Sequence, residues 1–169
     1  MFTINSPAVA DGGELPEKYA EKNLVSPPLT WSNVPEGTKS LALAMTDPDL
    51  PEAFNFPRVF AHWLVYNISP DLQELPEGAS PGRMPKGTEE LNSDFVLFGS
   101  EAHKNHYAGP WPPDRSHRYV FTLYALKVEH LEIEGNADFV EFAKQVLPVT
   151  IDTTSLCVRY GPAGSPLPG

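Results

Sequence analysis

Asp47, His62, His117 and Tyr119 are the side chains through which this sequence could do chemistry, and each borders a short apolar run. Asp47-Pro48-Asp49 closes one run, His62-Trp63 opens a second, and His117-Arg118-Tyr119 leads into a third. One carboxylate with two imidazoles contains the ingredients of general acid–base work, and equally of a two-histidine, one-carboxylate metal site. Each residue also has a plainer reading. An Asp before Pro forms turns by accepting bonds from nearby backbone amides. His62 inside an apolar run reads as a satisfied core histidine, Tyr119 as core, and Arg118 as a surface or loop-bracing charge. The conjunction favours a site: an Asp and two His, each at the border of a different buried strand. His117 and Tyr119 are two apart and so point to one face. His103 and His106 fit a zinc pair only loosely in spacing and read better as solvated loop histidines. No nucleophile stands in a recognisable setting, since Ser116 has no elbow motif and Cys157 reads as buried core within a strand.

The runs that must position these groups are short and apolar and end near turn formers, and those beginning at Ala61 and Tyr119 are aromatic and β-branched. They predict strands over Lys39–Thr46, Ala61–Ile68, Tyr119–Leu126 and Ser155–Tyr160, the last closed by Gly161 and Pro162. The second and third are apolar on both alternating faces, as central strands covered on both sides would be. One helix is expected: Asp138 followed by Glu141 resembles a capping box, Phe139, Phe142, Ala143 and Val146 share a face, and Pro148 marks its end. Pro76–Tyr107 has little periodicity and reads as a long loop. In a β sandwich, strand ends and their loops converge at one edge, which would bring the polar clusters together.

Composition sets the outer bounds. A chain of 169 residues, 41% hydrophobic, can close a real core, and one domain over 1–169 is expected. Nineteen prolines punctuate it without forming a tract, which argues for short elements joined by structured loops and makes one cis proline a fair expectation. The net charge of -10 argues against nucleic acid and against anionic membranes as partners. It also repels anions at long range, so any anion site must act locally. Acidic residues thicken between Glu129 and Glu141, read as a solvated face. The opening Met1-Phe2-Thr3-Ile4-Asn5 lacks signal-peptide features, no run reaches membrane-span length, and the single Cys157 rules out an intrachain disulfide. A cytoplasmic protein is the expectation.

In order along the chain, Ser26-Pro27-Pro28-Leu29-Thr30-Trp31-Ser32, Val34-Pro35-Glu36-Gly37-Thr38-Lys39-Ser40, Asp47-Pro48-Asp49, His62-Trp63-Leu64-Val65-Tyr66-Asn67-Ile68, Gly109-Pro110-Trp111-Pro112-Pro113, His117-Arg118-Tyr119 and Arg159-Tyr160-Gly161 form a specific series. With it the chain resembles the phosphatidylethanolamine-binding protein family, in its prokaryotic, Raf-kinase-inhibitor-like branch. The resemblance implies a mainly β fold, with two packed antiparallel sheets and one or two peripheral helices. It implies a small pocket at one sheet edge for phosphate-like anions or phospholipid head groups, lined by Asp47, His62, Gly109, Pro110, Pro112, His117 and Tyr119, with Trp63 outside it. Bacterial relatives are commonly dimers, so a homodimer is an arrangement the resemblance allows. Three departures bear on ligand size. Pro51–Phe60 is longer than in compact bacterial members, Trp111 stands where relatives often carry a small residue, and Ser93–Asn105 looks extended, Asp94-Phe95 keeping part of the usual motif.

The expected function is binding of a small anionic ligand without a cofactor or metal. Asp47 is expected to orient the site by bonding a histidine or backbone amides, while His62, His117 and Tyr119 donate to the ligand. Phosphate affinity should then rise as pH falls from about 8 to about 6. Two other readings stay open: a protein-binding inhibitor of a kinase or protease, and a hydrolase using the Asp/His cluster.

Overall fold

The computed structural model describes residues 1–161. Pro162, offered by the sequence as a strand terminator, lies outside the described residues. Strands β1 (Thr3–Asn5), β2 (Leu29–Ser32) and β5 (Glu74–Leu75) form a three-stranded sheet in the order β1-β2-β5. The larger sheet runs β6-β4-β3-β7-β8, from β6 (Glu89–Glu90) through β4 (Phe60–Ile68), β3 (Ser40–Asp47) and β7 (His117–Leu126) to β8 (Thr150–Tyr160). All pairings within both sheets are antiparallel. One α-helix, α1 (Phe139–Val146), is found among the described residues.

Alternation along the central strands explains the layering. Leu41, Leu43 and Met45 of β3 join Phe121 and Leu123 of β7 and Trp31 and Leu75 of the small sheet in one core. The intervening Ala42 and Ala44 face the other way, into a second core with Leu64, Tyr66, Phe142 and Val146. The large sheet is thus covered by the small sheet on one face and by α1 on the other, which is why β4 is apolar on both faces and buried throughout. Each fully buried Leu or Phe here contributes roughly 1.5–3 kcal/mol of transfer free energy.

The expected strands all form: β3 is shifted by one residue to Ser40–Asp47 and the other three are wider, β8 beginning at Thr150 because pairing to β7 carries it past its apolar end. The Asp138 carboxylate caps α1 through the Val140 N–H at 3.0 Å. Phe142 and Val146 are its buried residues, while Phe139 and Ala143 are half-buried. The expected loop over Pro76–Tyr107 is more ordered than read. It carries β6 and 3-10 turns at Asp94–Phe98 and Glu101–His103, elements too short to leave a period. Ser80–Pro81 is cis.

Candidate functional site

Asp47 ends β3 on the side that faces the small sheet, continuing the Leu41-Leu43-Met45 row, and its carboxylate is divided between two tasks. Oδ1 accepts the Asp49 N–H at 2.7 Å, the turn-forming bond expected of an Asp before Pro. Oδ2 accepts a bond from His117 Nδ1, also at 2.7 Å. Both residues are buried. The adjoining Asp49 holds the loop from outside, bound by the Arg118 side chain and backbone N–H. That hydrogen bonding, with the charge of Arg118, keeps the Asp49 carboxyl down at about 2. Arg118 is the loop brace its alternation predicted.

His117 opens β7 and is fully buried. Its second ring nitrogen, Nε2, lies 2.6 Å from Asp114 Oδ1. An imidazole bonded to a carboxylate at each nitrogen must carry a proton on both. Burial alone would lower the His117 pKa, but the bonds to Asp47 and Asp114 outweigh it and the pKa is raised. Desolvation likewise works to raise the Asp114 pKa, and the bond to His117 reverses it into a fall. Both nitrogens of His117 are engaged, which leaves the expected donation to a ligand without a free N–H. A base for the hydrolase reading is missing at this position for the same reason.

His62 reaches the site through an irregularity. Met45 pairs with Trp63 and Thr46 with Ala61, so His62 is the extra residue of a β-bulge in β4. Its Nδ1 lies 2.9 Å from the Ala108 carbonyl. Burial lowers its pKa more than Asp47 and the backbone of Ala108 and Gly109 raise it. His62 is therefore neutral near pH 7, with its proton on Nδ1 and a lone pair on Nε2. This corrects the sequence expectation: His62 presents an acceptor, not a donor, because a charged imidazole is costly at that depth. The Tyr119 phenol, held protonated by burial and then by the nearby carboxylates, is a donor. Its ring meets His62 edge-on at 5.3 Å.

Around these groups lies a cavity of about 200 Å³. Asp47, His62, Pro112, His117 and Tyr119 border it. Its other walls are Leu50, Phe60, Phe95, Phe98, Trp111 and Pro113. Gly109 and Pro110 are not among its lining residues, although the Gly109 backbone reaches the His62 ring. A Cβ on Gly109 would sit 2.4 Å from the Tyr19 carbonyl oxygen, and the Pro110 carbonyl accepts the Glu21 N–H at 2.8 Å. Their task is to seat the Tyr19–Glu21 segment. Trp111 stands at the mouth, about half exposed at 49%. Trp63 stays outside the cavity, its indole N–H on Glu90 Oε2.

Phe95 and Phe98 were not anticipated as wall residues. They ride on the Asp94–Phe98 turn, fixed where Asp94 accepts the Ala61 N–H and a two-pronged bond from Arg58. The retained Asp94-Phe95 pair was the signal available for them. Asp114 was also missed, and a lone Asp after Pro112-Pro113 offers no signal beyond a turn. His103 is buried rather than solvated, its ring tilted against Phe95 at 5.0 Å and bonded to Ser100 Oγ. Cys157 is half-buried within β8, the edge strand of the large sheet, rather than in the core.

The profile of a family described as phosphatidylethanolamine-binding protein matches residues 5–161. A UPF0098 protein of Chlamydia pneumoniae is 42% identical over 125 residues, which cover 73% of this chain and 75% of that one. Among solved structures, a putative phosphatidylethanolamine-binding protein homologue from Chlamydia trachomatis superposes with a TM-score of 0.80 at 32% identity. The match covers 95% of this chain and 97% of the other. Escherichia coli YbcL, described as a member of the mammalian family, gives 0.83 at 28% identity, covering 95% and 98%.

Proposed function

Because this chain belongs to the phosphatidylethanolamine-binding protein family, a family of ligand-binding proteins, we propose that its cleft binds a small molecule bearing a phosphate-like anion on an apolar body. The observation that carries the reading is the buried imidazolium of His117 at the foot of a mainly aromatic cavity. Flanked by Asp47 and Asp114 the cluster carries no net positive charge, so His117 offers an anion an N–H only in exchange for one of those carboxylates. Such a charge-assisted bond is stronger in a low-dielectric wall than in water. Tyr119 adds a neutral donor. The His62 lone pair suits a ligand that keeps one O–H, such as a phosphate monoanion. Phe60, Phe95, Phe98 and Trp111 would pack the apolar body.

The cavity, at about 200 Å³, falls below the roughly 300 Å³ of drug-sized pockets, so the ligand is a head group or a small ester. The single cysteine fits a reducing, cytoplasmic setting. A second reading, a protein inhibitor of a kinase or protease, draws on the exposed apolar rim of Leu97, Phe98 and Trp111.

Calorimetric titration with phenyl phosphate tests the first reading. The wild-type chain should bind it, and Tyr119→Phe should weaken it by about tenfold, the worth of one hydrogen bond to an anion. Equal affinity for phenyl phosphate and benzyl alcohol would sink the anion reading. Loss of partner binding in Trp111→Ala, with phenyl phosphate still bound, would favour the inhibitor.

A further inference from the structure

The outward nitrogen of His117 already has an anion on it, and the protein supplies that anion itself. Asp114 Oδ1 sits 2.6 Å from Nε2, while the other nitrogen is committed to Asp47. Asp114 is the less anchored of the two carboxylates. Its side chain keeps 15% exposure against 3% for Asp47, and it sits on the irregular Pro112–Ser116 stretch between cavity and β7. It also lines a neighbouring cleft with Pro48, Leu50 and Glu52, so a rotated Asp114 side chain has solvated room to occupy. With Asp114 in place, Asp47, Asp114 and His117 sum to one net negative charge and offer no free imidazolium N–H. With Asp114 turned out, the Asp47–His117 pair is neutral and Nε2–H is vacant.

We propose that Asp114 is a resident competitor that the ligand's anion must evict from His117, so that Asp114 sets how strong an anion the cleft accepts. The proposal rests on the anion reading of the same cavity. The other charged groups facing His117 are Asp47 on β3 and, farther out, Asp49 paired with Arg118. A competitor on the same chain acts at high effective concentration and divides every anion's affinity by one common factor. A free carboxylate gains nothing by exchanging with another carboxylate and so falls out of range. A phosphoryl group, with more acceptor oxygens and more charge, stays within it. Neutral ligands, which have no use for Nε2–H, are indifferent.

That common factor is the signature to measure. Phenyl phosphate, benzoate and benzyl alcohol would be titrated into the full chain and into Asp114→Asn at about pH 6, where His117 holds its proton. Asp114→Ala serves as a second variant if the first folds poorly. The expected result is a gain of about tenfold for both anions alike, with benzyl alcohol unchanged. A mere change in local charge would favour the dianion over the monoanion, and a structural effect would move benzyl alcohol too. Either pattern overturns the proposal. If phenyl phosphate binds both proteins equally, the competitor is overturned while the anion reading stands. If it binds neither, the anion reading falls and takes the competitor with it.

Discussion

His117 keeps a proton on each nitrogen because two carboxylates hold it, and this makes the fold itself sensitive to pH. Its folded pKa lies above the ordinary 6.5. The stability it contributes is therefore complete below about pH 6.5 and is lost as pH rises through the folded value. Thermal melts of the wild-type chain should decline above about pH 6.5 more steeply than those of His117→Gln. At its best pH, that variant should be about 3 kcal/mol less stable by urea denaturation, having left Asp47 buried without its cation. Asp49 behaves in the opposite sense. With its pKa held at about 2 by Arg118, its contribution is present above the ordinary carboxylate value and disappears as pH falls through 2.

Ligand affinity follows the same proton. With phenyl sulfate, whose charge is fixed, affinity should be flat below about pH 6.5 and fall at alkaline pH as His117 deprotonates. The sequence placed that change between about pH 8 and about pH 6 because it treated both histidines as ordinary. Burial moves them apart, His62 down and His117 up. A rise in affinity centred well below 6.5 would assign the effect to His62 instead.

At the scale of elements, β3, β4 and β7 were legible because their apolar residues run between turn formers. The layering on either side of the sheet buries β3 and β4 on both faces, while β7 is buried on one and only half-buried on much of the other. The helix was legible from Asp138 and its apolar stripe. Asp138→Ala should cost about 1 kcal/mol in urea denaturation, through loss of the cap on the Val140 N–H. What the sequence hid were features without periodicity. The bulge that turns His62 toward the cavity is a register shift, readable only from the pairing of Met45 and Thr46. The Asp94–Phe98 turn is shorter than any window in which a period shows. Gly109 was legible as a motif residue, but its steric constraint, the approach of the Tyr19 and Ala20 backbone, was not. Gly109→Ala should lower the melting temperature by several degrees as that segment is pushed away, with the cavity's polar groups still in place.

At the scale of the whole molecule, the chain's charge of -10 works against the ligand proposed for it. An anion must approach through a repelling field and bind by contacts that matter only within a few ångströms. Raising salt from about 10 mM to about 150 mM shortens the screening length from roughly 30 Å to roughly 8 Å, so the association rate for phenyl phosphate should increase. A rate that falls with salt would mean the cleft mouth attracts anions. Among the described residues no helix is long and apolar enough to cross a membrane.

The central claim, an anion held by a buried imidazolium, is tested most directly by the imidazole ¹⁵N and ring-proton resonances of His117 during titration with phenyl phosphate at about pH 6. Both His117 nitrogens should stay protonated throughout, with Nε2–H shifting strongly, Nδ1–H little, and His62 remaining the neutral Nδ1–H tautomer. Saturable phenyl phosphate binding that leaves His117 Nε2–H unmoved would contradict the account.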